Sequence, residues 1–237
     1  MSKRKFLGVL NVLATMLALT SVCWGQTESG DTVLPPVGSE NPLFSVRQDD
    51  PTRDFDLARQ SFLEVDLSEA AARIRRGIAA MQEQSRTATA EGRQAIRNSV
   101  EELENLAKTI EQKREKSSER LDGALARAQF ALAHHHYLLA IKAHNEQARK
   151  QLGQELHSAA EQLQNGVTRL RVDLRKKEAE IQLATKKLAA KLIDGGNATM
   201  DEIGDGINSF GDNMTSLRER ALPTEQTAAA GTKAKRQ

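Results

Sequence analysis

All five prolines of the chain lie outside residues 52–222: Pro35, Pro36, Pro42 and Pro51 precede that run, and Pro223 follows it. A proline inside a helix deletes a hydrogen bond and clashes with the preceding turn, at a cost of about 3 kcal/mol. A proline-free run of this length, rich in Ala, Leu, Glu, Gln, Lys and Arg, therefore predicts an all-α body. No strand alternation and no Asn-Gly hairpin signal interrupts it.

The ends are of a different character. Lys3, Arg4 and Lys5 precede an apolar stretch from Phe6 to Val22, and Cys23-Trp24-Gly25 places small residues before a cut ahead of Gln26. This is the layout of a signal peptide (residues 1–25), so the expected location is exported, periplasmic or extracellular, with cleavage near Gly25. The alternative is an uncleaved anchor, for which the stretch is short and spotted with polar residues. Cleavage removes Cys23, the chain's one cysteine, and with it any disulfide, thiol nucleophile or Cys-ligated metal. Without Lys3, Arg4 and Lys5, the 34 basic residues fall to 31 against 32 acidic ones. A near-neutral chain with few aromatics makes nucleic acid an unsuitable partner. Residues 26–56 read as a linker, their proline-rich part as a flexible tether, and 221–237 as a disordered tail.

Apolar spacing divides the body. Asp66 and Glu69 form an anionic helix start, and Leu67, Ala71, Ile74, Ile78 and Met81 then repeat on one face. A second stripe is Ile96, Val100, Leu103, Ala107 and Ile110. A third is Leu121, Leu125, Ala128, Leu132, His135 and Leu139. The fourth runs from Leu152 through Leu163, Leu170 and Leu174 to Leu188, which predicts one helix over 148–193, about 70 Å long. Short polar breaks favour antiparallel neighbours. The expected fold is an up-down-up-down four-helix bundle over 57–194 with an over-long fourth helix. Gly195-Gly196 ends that helix, and an amphipathic segment over 195–220 folds back on the overhang, with Ile207 near Leu188 and Met214 near Ile181. The overhang and this fifth helix form the expected partner surface: Ile181, Ala184, Leu188, Leu192, Ile203, Ile207, Phe210, Met214 and Leu217.

The string Ala131-Leu132-Ala133-His134-His135-His136-Tyr137 stands out chemically. Consecutive helical residues are 100° apart, so three imidazoles in a row cannot share one ligand geometry. Across a hairpin turning near 145–148, His136 faces His157, with Glu161 one turn below. Those three are the candidate metal ligands, and a polar layer is the other reading. This string, together with Asp66-Leu67-Ser68-Glu69-Ala70-Ala71, Glu101-Glu102-Leu103-Glu104-Asn105-Leu106-Ala107 and Ala159-Ala160-Glu161-Gln162-Leu163, resembles the YfdX group of exported bacterial helical domains of unknown function. The resemblance spans about residues 57–165. It implies a helical fold and export, and no activity.

Chemical motifs are missing: there is no dinucleotide-binding or P-loop glycine pattern, no Gly-x-Ser-x-Gly, no His-Glu-x-x-His and no calcium loop. Carboxylates alternate with Lys and Arg, as in Glu101, Glu102, Glu104 and Lys108, which suits a solvated helix face. The expectation is a non-enzymatic envelope protein without cofactor. It acts through protein contacts or self-association by its C-terminal helices. The alternative is a lipid-surface or small-ligand binder, with Lys176, Lys177, Lys186, Lys187 and Lys191 flanking the stripe toward an anionic membrane.

Overall fold

Among residues 50–222, which the computed structural model describes, the chain forms seven α-helices and no strand. They are α1 (Thr52–Leu63), α2 (Leu67–Ser85), α3 (Ala90–Glu111), α4 (Ser118–Asn145), α5 (Arg149–Arg169), α6 (Lys176–Ile193) and α7 (Met200–Ala221). All belong to one unit, residues 44–237. The fold is all-α, as the proline distribution predicts. The signal peptide, the linker up to residue 49 and the tail beyond 222 lie outside the described residues. No helix among the described residues is long and apolar enough to cross a membrane.

Helix α1 corrects the linker boundary, because residues 52–56 are already helical. Pro51 stands just before the first turn, where a missing N–H removes no helical bond. Phe55, Ala58 and Phe62 recur at helical spacing and are buried. A Cβ built on Gly77 of α2 would lie 2.3 Å from the Phe55 ring, so only glycine lets that ring in. The polar side of α1 binds elsewhere. Arg59 donates to Asp122 of α4 (2.7 Å), and Asp56 accepts from Arg169 of α5 (2.6 Å). Gln162 of α5 donates to Asp50 (3.1 Å) just upstream. A short helix that splits its two faces between two neighbours gives no long stripe to read.

The helix expected over 148–193 is instead two. The chain turns back at Arg171, whose φ of 53° is left-handed, and α6 begins after Arg175. The N–H of Val172 reaches the carbonyl of Val167 (3.2 Å), and that of Arg171 reaches Thr168 (3.1 Å), the paired bonds of a Schellman C-cap. The same cap ends α1, α3, α4 and α6, with Val65, Lys113, Gln147 and Gly195 at the left-handed position. Only one of the five is glycine, so four of these ends lack the usual sequence mark. The magnitudes explain the turn. A left-handed non-glycine residue costs about 1–2 kcal/mol, whereas burying one leucine side chain is worth about 1.5–3 kcal/mol. Folding back buries Leu188 and Leu192 beside Leu152 and Leu156 of α5. The crossing is close: a Cβ on Gly153 would lie 2.8 Å from the Ala189 carbonyl oxygen. A straight helix would leave that stripe without a partner.

Helix α4 is the shared wall. Its alanine-rich surface is buried on several sides, and residues along it enter three apolar clusters. The first joins α1, α2, α3 and the start of α4. The second joins Phe130 to Leu163 and Val167 of α5 and to Phe210, Met214 and Leu217 of α7. The third joins the end of α4 to α5, α6 and the start of α7. The pairs Glu91–His134 and Glu102–Arg127 set α3 antiparallel to α4, and His136–Glu155 with Phe130–Gly166 does the same for α4 and α5. Helix α7 closes α4, α5 and α6 together. Ile207 shares a cluster with Leu188 as expected, while Met214 packs into the cluster on α4 and α5.

Candidate functional site in the histidine layer

The three consecutive histidines occupy the middle of α4 and diverge. His134 lies on the α3 side, where its Nε2 is 3.4 Å from Oε1 of Glu91. His135 is fully buried, its ring centroid 5.0 Å from that of His136. Gly92 of α3 packs against it: a Cβ there would lie 3.4 Å from His135 Nδ1, at van der Waals contact. His136 lies on the α5 side, and its Nδ1 is 2.7 Å from Oε2 of Glu155. Their side chains are only 3% and 6% exposed.

The expected metal triad is not assembled. His136 takes Glu155, while His157 pairs with Glu161 one turn along its own helix, at 3.2 Å. Both of the latter are partly exposed. No group of three or more His, Cys, Asp or Glu among the described residues could hold a metal ion. The register across the α4–α5 hairpin is the reason: it brings Glu155, not His157, level with His136. Glu155 was legible in principle, since it interrupts the apolar stripe between Leu152 and Ala159 with a carboxylate at a buried spacing. The polar-layer reading of the histidines fits this geometry.

The environments differ in electrostatics. Burial pushes the His134 imidazole below its ordinary value, against the pull of Glu91 and with the repulsion of Arg218. The His157 ring beside Glu161 holds that carboxyl below the usual carboxylate range. Burial raises the Tyr137 hydroxyl, with Asp212 adding to it. Between α1, α4 and α5, the Arg169 guanidinium is lowered by burial, while Asp56 opposes the shift. Its Nε donates to Oε1 of Gln129 (2.8 Å).

The expected partner surface is largely consumed within the chain. Leu188, Leu192, Ile203, Ile207, Phe210, Met214 and Leu217 are buried; Ile181 is half-buried and Ala184 exposed. The stripe that was to meet an anionic membrane is thus an internal face. The outer face of α6 keeps Lys176, Lys177, Lys187 and a single large apolar residue, Leu183. Large apolar side chains are exposed elsewhere, most of all at the corner between α1 and α2. There Leu63 is 54% and Val65 77% exposed. Neither belongs to a periodic stripe, and nothing local in the sequence marked them. No protein-family model, curated protein or solved structure matches this chain.

Proposed function

We propose that this chain is an exported, non-enzymatic helical-bundle protein of the bacterial envelope that acts through protein contacts. The contact point is the α1–α2 corner and not the C-terminal helices. Val65 carries the reading. It is a β-branched residue at φ 66°, a conformation that glycine or asparagine adopts at far lower cost, and its side chain faces solvent. The left-handed backbone closes the cap of α1, with the Val65 N–H on the Phe62 carbonyl (3.1 Å). That cap needs no side chain, and the exposed valine there is what supports a contact with a second molecule. Leu63 beside it extends the apolar corner. The amino-terminal pattern and the likeness to the YfdX group support export.

A photo-crosslinking residue at position 65, with one on the outer face of α6 at Lys187 as a control, tests the corner. The reading expects a discrete adduct from position 65, its mass separating a second copy of this chain from a different protein. Absence of any adduct at 65, or equal labelling at 187, would remove the corner from the proposal. Export is tested separately by mass spectrometry of the mature amino terminus, expected at Gln26.

A further inference from the structure

The α5–α6 turn holds one strained residue and nothing that forbids a helix. Arg171 sits at φ 53°, and residues 170–175 contain neither glycine nor proline. Straightened, α5 and α6 form one helix from Arg149 to Ile193. Its face carries Leu163, Val167, Leu170, Leu174, Ile181 and Leu188 at steps of three, four and seven. The folded-back chain covers this stripe unevenly. Leu163, Val167 and Leu188 are buried, whereas Leu170, Leu174 and Ile181, the three nearest the turn, are only half-buried. The start of α6 is also loosely held. Up to Thr185 it buries only Glu178, Gln182 and Thr185, and neither amide atom of Gln182 has a hydrogen-bond partner.

We propose that α6 and α7 exchange between two copies of this chain, with residues 170–175 as the hinge. In the exchange each α6–α7 pair leaves its own α4 and α5 and takes the same place on the second copy. The receiving face needs no new complementarity, because this chain's own α6 and α7 already fill it: Gly153 lies against Ala189, and Phe130 and Leu163 beside Phe210. Two effects then separate the forms. Straightening releases Arg171 from the left-handed conformation. It also lays the two long helices across each other near the twofold axis, where Leu170, Leu174 and Ile181 of each copy cover those of the other. Against this stands the entropy of joining two molecules. The exchanged form therefore belongs to high concentration, or to refolding before α6 has docked. Helices α1 and α2 take no part, so this proposal and the contact at their corner stand or fall separately.

Two cysteines read the exchange directly, since the chain from Gln26 onward contains none of its own. Lys186 of α6 lies close enough to Glu161 of α5 to act on its carboxyl, so Glu161→Cys with Lys186→Cys offers a pair for a short bis-maleimide. The chain from Gln26 is refolded from urea at submillimolar concentration and separated by size exclusion with light scattering. Each fraction is then bridged and run under denaturing conditions. The expected result is a dimer fraction that becomes covalently dimeric beside a monomer fraction that stays single. Arg171→Gly favours the turn and disfavours the long helix in both copies, and is expected to lower the dimerisation constant at least about tenfold. Arg171→Val places a β-branched residue where the left-handed region admits it poorly, and is expected to raise it. No dimer at that concentration, a dimer bridged only within each chain, or a dimer unmoved by Arg171→Gly would each overturn the proposal.

Discussion

The hydroxyl of Tyr137 in α4 occupies the space that a side chain at residue 211 of α7 would need: a Cβ there would lie 2.3 Å from Tyr137 Oη. The Tyr137 ring also meets Phe210, with centroids 6.0 Å apart. Glycine at 211 is thus a packing requirement, and the glycines of α7 are not equivalent. At Gly204 a Cβ would meet nothing within 4 Å. Gly211→Ala is expected to destabilise by about 1–3 kcal/mol through overpacking. Gly204→Ala is expected to stabilise by up to about 1 kcal/mol, since alanine is the better helix former. Urea denaturation of the two variants decides this, and a shared sign would contradict the packing.

The buried pair of His136 and Glu155 ties α4 to α5. Removing one partner leaves a buried polar group uncompensated, so Glu155→Leu alone is expected to cost about 3 kcal/mol. Replacing both, as His136→Leu with Glu155→Leu, is expected to recover much of that loss, because two apolar groups need no partners. A double-mutant cycle by chemical denaturation measures the coupling. Additive single effects would show that the contact does not contribute as a pair.

His134 sets a pH dependence. Its value in the folded state is lowered, mainly by burial, from an ordinary 6.5. A lowered histidine favours the neutral form, so its contribution is complete above pH 6.5 and is lost as pH falls through the folded value. Glu111 and Glu202, held down by Arg75 and Lys191, act in the same direction below their ordinary 4.5. Between pH 7.5 and 5.5 the wild type is therefore expected to lose stability relative to His134→Gln. Parallel urea midpoints in the two proteins across that range would refute the assignment.

The left-handed cap residues predict a second gain. Val65→Gly removes a β-branched side chain from φ 66° and is expected to stabilise by about 1 kcal/mol. Arg171→Gly, at φ 53°, relieves a straight-chain residue and is expected to gain less. Thermal unfolding of the two variants tests the order. If the corner is a contact site, Val65→Gly combines higher stability with weaker partner capture.

The sequence by itself determined the helical class, the faces of α2, α3 and α4, and the start marked by Asp66, whose side chain accepts the N–H of Glu69. These follow from proline placement, apolar period and capping, all local properties. Only the tertiary structure decided the rest. The turn at Arg171 carries neither glycine nor proline. It exists because antiparallel packing of α6 on α5 buries Leu188 and Leu192 for more than the strain of one left-handed residue. Nor is the partner of His136 a local matter. The register between α4 and α5 selects Glu155, and a shift of one helical turn would have offered other residues. The stripe from Ile203 to Leu217 was legible as apolar, yet its spacing could not say whether the covering surface would be another molecule or the chain's own α4, α5 and α6. Periodicity reports that a face must be buried; what buries it depends on contacts distant in sequence.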